Sequence, residues 1–142
     1  MQFLIKSTLI GIVSGVLLGF FFKGIEISLG IKVYTLLLNI DYIPYLKELS
    51  LPEWGEFLLH LIVSILLCII LYSLIRRSTW TNKQMMVRIV LINTIIGFLL
   101  YPTTALSTRT PALTSLEALS FWIIGHIVYG VILALLFRKR EN

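Results

Sequence analysis

A histidine lies deep inside an apolar segment of this chain, where an ionisable side chain is costly. His126 stands in "LSFWIIGHIVYGVILALLF", which contains no charged residue. Helical spacing puts Trp122, Tyr129 and Gly130 on its face, so an indole and a phenol flank the imidazole and a glycine leaves room beside it. Intramembrane ionisable residues usually face a bundle interior or a cavity. The pattern predicts either a proton-relay or ligand-binding imidazole, or a neutral histidine that ties helices together through hydrogen bonds.

Three more polar side chains fall at about the depth of His126 in other apolar segments. A helix rises 1.5 Å per residue, so counting from the segment ends places all four about 10–12 Å below one membrane boundary. The sequence therefore predicts a polar layer inside the membrane, which consists of Ser14, Ser64, Asn93 and His126.

Other chemistry has little support in the residue pattern. The sequence contains no nucleophile constellation, no HExxH motif, no phosphate-cradling loop and no carboxylate pair, and Cys68 is its single cysteine. His60 and His126 differ in expected depth by about 9 Å, which argues against a shared metal or haem. We therefore expect no catalytic residue, no metal and no cofactor, and we consider an enzyme the less favoured class.

Membrane-spanning helices are the elements that must position the polar layer. Hydrophobic residues make up 58% of the 142 residues and charged residues only 13%, whereas soluble domains carry about 25% charged residues. Four apolar segments approach the length of about 20 residues that a helix needs to cross a bilayer. They cover about residues 3–22, 57–75, 85–101 and 118–137. The sequence predicts one all-α transmembrane domain over residues 1–142, an integral membrane four-helix bundle whose main partner is the lipid bilayer.

The stretch between the first two spans is apolar but carries charges. Glu26, Lys32 and Asp41 interrupt it, and each charge near the centre of a span would cost about 2.5–3.5 kcal/mol. We expect an amphipathic or re-entrant element in this first outer loop. Lys23 and Glu26, one turn apart, are predicted to pair at the interface. Arg109, in the second outer loop, is a candidate contact for an anion or a lipid phosphate, with a solvated loop residue as the alternative.

The distribution of basic residues predicts the orientation. Eight of the 12 lysines and arginines lie on the side of the two termini and four on the other side. Because cytoplasmic loops carry the excess of lysine and arginine, both termini are expected in the cytoplasm. The basic residues stand at the ends of apolar segments, so the net charge of +5 indicates membrane topology and no nucleic-acid partner.

Small residues recur every fourth position along the first span, at Ser7, Gly11, Gly15 and Gly19. Such stripes let helix backbones approach closely in lipid. The stripe predicts a helix-packing contact, either within the bundle or across a homo-oligomer or a membrane-protein partner. A sliding or gating contact is the alternative.

Two stretches resemble the YagU-like small inner-membrane proteins of bacteria. One is "GIVSGVLLGFFFKGIE", with its cluster of Lys23, Gly24 and Glu26, and the other is the last span, in which Val128 follows the pair Gly125–His126. The layout also resembles, more weakly, YqhR-like sporulation membrane proteins. The resemblance implies a multi-pass protein of the bacterial cytoplasmic membrane with a part in acid tolerance, and it implies no reaction.

Two classes of function follow from these observations. The favoured class is a non-enzymatic packing or partner module linked to envelope or acid stress. The alternative is a small channel or proton-linked transporter that uses the polar layer around His126.

Overall fold

The computed structural model describes residues 2–46, 48–49 and 51–138, and all its regular elements are helical. The helices are α1 (Gln2–Leu29), α2 (Val33–Leu38), α3 (Glu53–Arg77), α4 (Asn82–Leu100) and α5 (Leu116–Phe137), and a 3-10 helix, Tyr101–Leu106, continues α4. The described residues contain four helices long and apolar enough to cross a membrane, namely α1, α3, α5, and α4 with its 3-10 extension. The predicted all-α four-helix membrane bundle is confirmed.

The first span continues as a helix well beyond its predicted end at Phe22. No proline occurs before Gly30, and the φ of +71° at Gly30 is a left-handed conformation that glycine adopts without strain. The amide of Gly30 donates to the carbonyl of Glu26 and closes the last turn. Lys23 and Glu26 therefore lie on α1 itself, so their side chains are held by the helix and not by a loop.

The four long helices form an open row in the order α3, α1, α5 and α4. α1 packs against α3 and α5, and α4 packs against α5, whereas α3 and α4 make little direct contact. The bundle is consequently open on the side between α3 and α4.

Aromatic stacking brings both described chain ends to one end of the bundle, which we call the terminal end. Tyr72 of α3 stacks between Phe3 of α1 and Phe137 of α5, with ring centroids 5.3 Å apart in each pair. Buried apolar side chains fill this half of the bundle, and each is no more than 2% exposed. They are Leu71, Ile75, Met85, Ile89, Leu133 and Phe137.

The small-residue stripe of α1 lies against α3 of the same chain. A Cβ atom on Gly11 would come within 2.7 Å of the Ile65 Cα atom, and one on Gly15 within 2.9 Å of the Ser64 Oγ atom. Gly19 lies against the ring of Phe57. The structure thus uses the stripe inside the bundle, to bring two backbones together.

The opposite end of the bundle, which we call the capped end, is covered by residues 33–46. This cap segment begins with the six-residue helix α2, which packs mainly on α1 and α3. Four of its apolar side chains are buried, namely Val33, Leu36, Leu38 and Ile40. The first loop therefore folds back onto the bundle and covers the space between α3 and α4.

Candidate functional site

A cavity of about 220 Å³ lies beneath the cap segment, between α3, α4 and α5. Most of its lining is apolar, and its polar lining includes three members of the predicted polar layer: Ser64, Asn93 and His126. The fourth member, Ser14, is buried on α1 outside the cavity, where its hydroxyl donates to the Ile10 carbonyl at 2.6 Å. The structure thus brings together three side chains from three different helices around one space.

The imidazole of His126 is only 6% exposed and is oriented by its own helix. Its Nδ1 atom lies 2.9 Å from the carbonyl oxygen of Trp122. Because a carbonyl only accepts, Nδ1 carries the proton of the neutral ring, which leaves Nε2 as an acceptor. The indole of Trp122 donates in turn to the carbonyl of Gly97 at 2.9 Å, which links α5 to α4.

The glycine that makes room for the imidazole differs from the predicted one. A Cβ atom on Gly97 of α4 would come within 2.7 Å of the His126 ring, so only glycine fits there without a shift. Gly130 instead faces the α4 backbone, where a Cβ atom would come within 2.9 Å of the Val90 Cα atom. Gly130 therefore allows the backbones of α4 and α5 to approach closely.

Asn93 presents an unpartnered acceptor in the same region. The side chain is 1% exposed, and its Nδ2 atom donates to the Ile89 carbonyl at 2.7 Å. Its Oδ1 atom has no hydrogen-bond partner within the described part of the chain. A buried polar atom without a partner costs about 1–3 kcal/mol and is rare in folded proteins. Because Asn93 lines the cavity, its unpartnered oxygen is a candidate acceptor for a water molecule or a ligand there.

A chain of hydrogen bonds holds Tyr129, the predicted neighbour of His126, and Ser64 of the polar layer. The Ser64 hydroxyl donates to the Gly11 carbonyl at 2.8 Å, so the Tyr129 hydroxyl, also 2.8 Å away, donates to Ser64. These bonds join α1, α3 and α5 at the depth of the cavity. Ser7, further toward the terminal end, is fully buried and donates to the Phe3 carbonyl of its own helix.

Arg109 joins three segments at the capped end. Its Nη2 atom lies 2.8 Å from Glu56 of α3 and its Nε atom 3.5 Å from Asp41 of the cap segment. Asp41 also accepts a hydrogen bond from the Ser107 hydroxyl. The hydrogen bond to Glu56 holds the pKa of the Arg109 guanidinium above its usual value. Two carboxylates of the chain thus pair with the guanidinium, and the predicted contact with an anion or a lipid phosphate stays a prediction.

The predicted pair of Lys23 and Glu26 is wrong, because each side chain reaches another segment. The Lys23 Nζ atom lies 2.5 Å from Glu53 at the start of α3. Glu26 accepts from the Thr35 amide at 2.8 Å and from its hydroxyl at 2.7 Å. Thr35 lies in the first turn of α2, whose amides have no partner within the helix. Glu26 therefore caps α2 and holds the cap segment against α1.

The Tyr34 hydroxyl strengthens this attachment by donating to Glu53 at 3.0 Å. Partial burial, together with that hydrogen bond to Glu53, raises the pKa of Tyr34 to about 12. The phenol thus stays protonated, and remains a donor to the carboxylate, throughout the physiological range.

Sequence reasoning missed two cavity residues on α3, Glu56 and His60. Glu56 is 8% exposed and lines the cavity, although it was placed just outside the second span. His60 lines the same cavity as His126, and its Nε2 atom lies 3.2 Å from the Gly15 carbonyl. A signal was present, because Glu56, His60 and Ser64 recur every fourth residue and so share one face of the helix.

Comparison with known proteins found no relative of this chain. No family model, no curated protein and no solved structure matches the chain. Membership of the YagU-like proteins therefore stays a prediction, and the structure supports the coarser description of an all-helical chain with four helices long and apolar enough to cross a membrane.

Proposed function

We propose that this protein is a non-enzymatic membrane protein that binds a small, largely apolar ligand in the cavity between α3, α4 and α5. The observation that supports the proposal most is that Asn93, whose buried Oδ1 atom has no hydrogen-bond partner among the described residues, lines a mostly apolar cavity. Natural ligand sites have this character, because apolar walls supply contact area and a few polar groups set orientation. A second pocket, whose lining includes Lys23, Glu26 and Glu53, is far more polar.

The proposed setting is the bacterial cytoplasmic membrane, with both termini in the cytoplasm. Among the described lysines and arginines, three lie at the capped end and six at the terminal end. The three are Lys23, Lys32 and Arg109, and the six are Lys6, Arg76, Arg77, Lys83, Arg88 and Arg138. This asymmetry supports the orientation. The resemblance to YagU-like proteins supports a part in envelope or acid stress.

Binding in the cavity accounts for more of the structure than a packing or partner module does. The partner module was inferred from the stripe of Gly11, Gly15 and Gly19, and that stripe lies against α3 of the same chain. A partner helix would have to use another face. Association with a second copy or another membrane protein is therefore secondary in this proposal.

A test of binding uses Trp122, which lines the cavity, as a fluorescent reporter. In a Trp54→Phe/Trp80→Phe background in lipid nanodiscs, we expect bromooctane to quench Trp122 fluorescence with saturation. Val63 lies at the cavity rim and is 57% exposed, so Val63→Phe can fill the opening without disturbing the core. We expect this substitution to weaken the apparent affinity about tenfold, which corresponds to 1.4 kcal/mol.

The matched control is Ile70→Phe, on the same helix. Ile70 is 64% exposed and lies outside the cavity lining, so its substitution should leave the quenching curve unchanged. Quenching that rises linearly without saturation, to the same extent in both variants, would show that the probe reaches Trp122 only from bulk lipid.

Proton-linked transport is a second candidate, because a carboxylate and two imidazoles line the same cavity. They are Glu56, His60 and His126. This candidate predicts a protein-dependent proton flux in proteoliposomes with an entrapped pH dye. His126→Gln, which keeps hydrogen bonding and removes the titration, should abolish the flux, whereas Ser120→Ala on the exposed face of α5 should not. Absence of flux in the unmodified protein would eliminate transport and leave the binding function.

A further inference from the structure

The cavity opens sideways, through the gap between α3 and α4. Ile62 and Val63 of α3 and Leu100 of α4 line the cavity and are 52%, 57% and 38% exposed. Because α3 and α4 make little direct contact, these side chains form a rim that faces lipid tails in a bilayer. The cap segment closes the cavity at one end of the bundle, and the packed core of the terminal half closes it at the other end. A hydrocarbon chain can therefore reach the cavity directly from the bilayer.

The polar wall that such a chain would meet at the depth of His126 offers acceptors. Asn93 Oδ1 has no partner, and its amide nitrogen is already bonded to a carbonyl. In the neutral His126 ring, Nε2 is the acceptor because Nδ1 faces the Trp122 carbonyl. Nearer the cap, the Asn39 Nδ2 atom is a buried donor without a partner among the described residues. A hydroxyl group, which donates and accepts, is the small neutral group that suits both kinds of partner.

The charges around the cavity disfavour an ionised ligand. Glu56 is the one acidic or basic side chain in the described lining, apart from the two histidines, and its charge is paired with Arg109. A carboxylate or phosphate buried here would face acceptors and a carboxylate, with no unpaired cation. An ammonium group would lose its hydration and find its only counter-charge already paired.

We propose that the cavity binds a single-chain neutral lipid with a hydroxyl group, which enters between α3 and α4 and donates its hydroxyl hydrogen to the wall formed by Asn93 and His126. This inference rests on the proposed binding function and names the chemical class of the ligand. The hydrocarbon chain occupies the apolar part of the cavity and extends through the rim into the bilayer.

The test compares octyl compounds that differ only at the polar end, each as a competitor that relieves the saturable quenching of Trp122 by bromooctane in the assay described above. The competitors are the alcohol, its methyl ether, the carboxylate and the amine. The ether keeps the acceptor oxygen and lacks the donor hydrogen. We expect the alcohol to bind about tenfold more tightly than the ether, because one or two otherwise unpaired acceptors gain a hydrogen bond.

A substitution on α4 then locates the acceptor. Asn93→Leu removes the carboxamide and should reduce the preference for the alcohol over the ether while saturable binding persists. Thr94→Val is the matched control, because Thr94 is the next residue on α4, bonds its own helix through the Val90 carbonyl and lies outside the lining. It should keep the preference for the alcohol. The comparison of alcohol with ether in the unmodified protein stands even if Asn93→Leu does not fold.

The outcomes separate the two proposals. Equal binding of all four competitors, or a preference for the carboxylate or the amine, would overturn the hydroxyl-lipid inference and leave cavity binding intact. Failure of bromooctane to quench Trp122 with saturation would overturn the binding function itself.

Discussion

We expect Gly11→Leu to lower the free energy of unfolding by about 3 kcal/mol, near the upper end of the usual cost of overpacking. A Cβ atom at Gly11 would come within 2.7 Å of the Ile65 Cα atom. That neighbour is backbone, so it can yield only if α1 and α3 move apart. Separation would also stretch the bond from the Ser64 hydroxyl to the Gly11 carbonyl, which couples α3 to α1 and, through Tyr129, to α5.

Gly24→Leu is the matched control on the same helix. A Cβ atom at Gly24 would have no neighbour within 4 Å, so we expect a change within about 0.5 kcal/mol. Denaturant unfolding of the purified protein in detergent measures both variants, and size-exclusion chromatography follows the oligomer. Equal stabilities would contradict the role of Gly11 in the α1–α3 contact. Loss of a dimer with unchanged monomer stability would place the stripe between two chains.

The second large effect is expected for Phe22→Ala, at about 3 kcal/mol. Phe22 is fully buried and stacks on Trp122, with centroids 5.2 Å apart and an interplanar angle of 7°. Its ring also occupies the space in front of Gly125. Buried phenylalanine to alanine costs about 3–5 kcal/mol in soluble cores. We expect a cost at the lower end of this range. In lipid no hydrophobic driving force holds helices together, so the substitution removes only packing contacts.

Phe20→Ala supplies the control for Phe22→Ala, since Phe20 lies two residues away on α1 and is 68% exposed. The removed ring is the same, so burial is the variable that differs. We expect Phe20→Ala to cost less than about 1 kcal/mol and to leave Trp122 fluorescence unchanged. Phe22→Ala should shift Trp122 emission to longer wavelength as the stacked ring is lost. Comparable destabilisation by both substitutions would show that Phe22 does not pack in the core.

The spans could be predicted from the sequence because their signal is local. Each long helix is a continuous run of apolar residues, and the bilayer sets its length. The predicted ends were less accurate, since helices continue until a breaker or cap stops them. Gly30 ends α1 seven residues beyond the last predicted residue, Phe22, and the capping box of Thr81 and Gln84 starts α4 before the predicted Met85.

The polar layer was predictable in part. Polar side chains within apolar spans need partners, so Ser64, Asn93 and His126 could be assigned to the interior, and depth counting placed them together. Depth alone does not give rotation about the helix axis. Ser14 has the predicted depth and is buried, yet it lies outside the cavity lining.

By itself the sequence determined the class of the protein, the four spans and the presence of polar groups within them, because length, apolar content and periodicity are properties of one segment at a time. Only the tertiary structure decided which segments are neighbours. It placed Lys23 with Glu53, Glu26 with Thr35, and Arg109 with Glu56. It also left α3 and α4 apart, with a cavity between them. These outcomes depend on how four helices pack around one another, since many partners satisfy the same local pattern and only close packing selects among them.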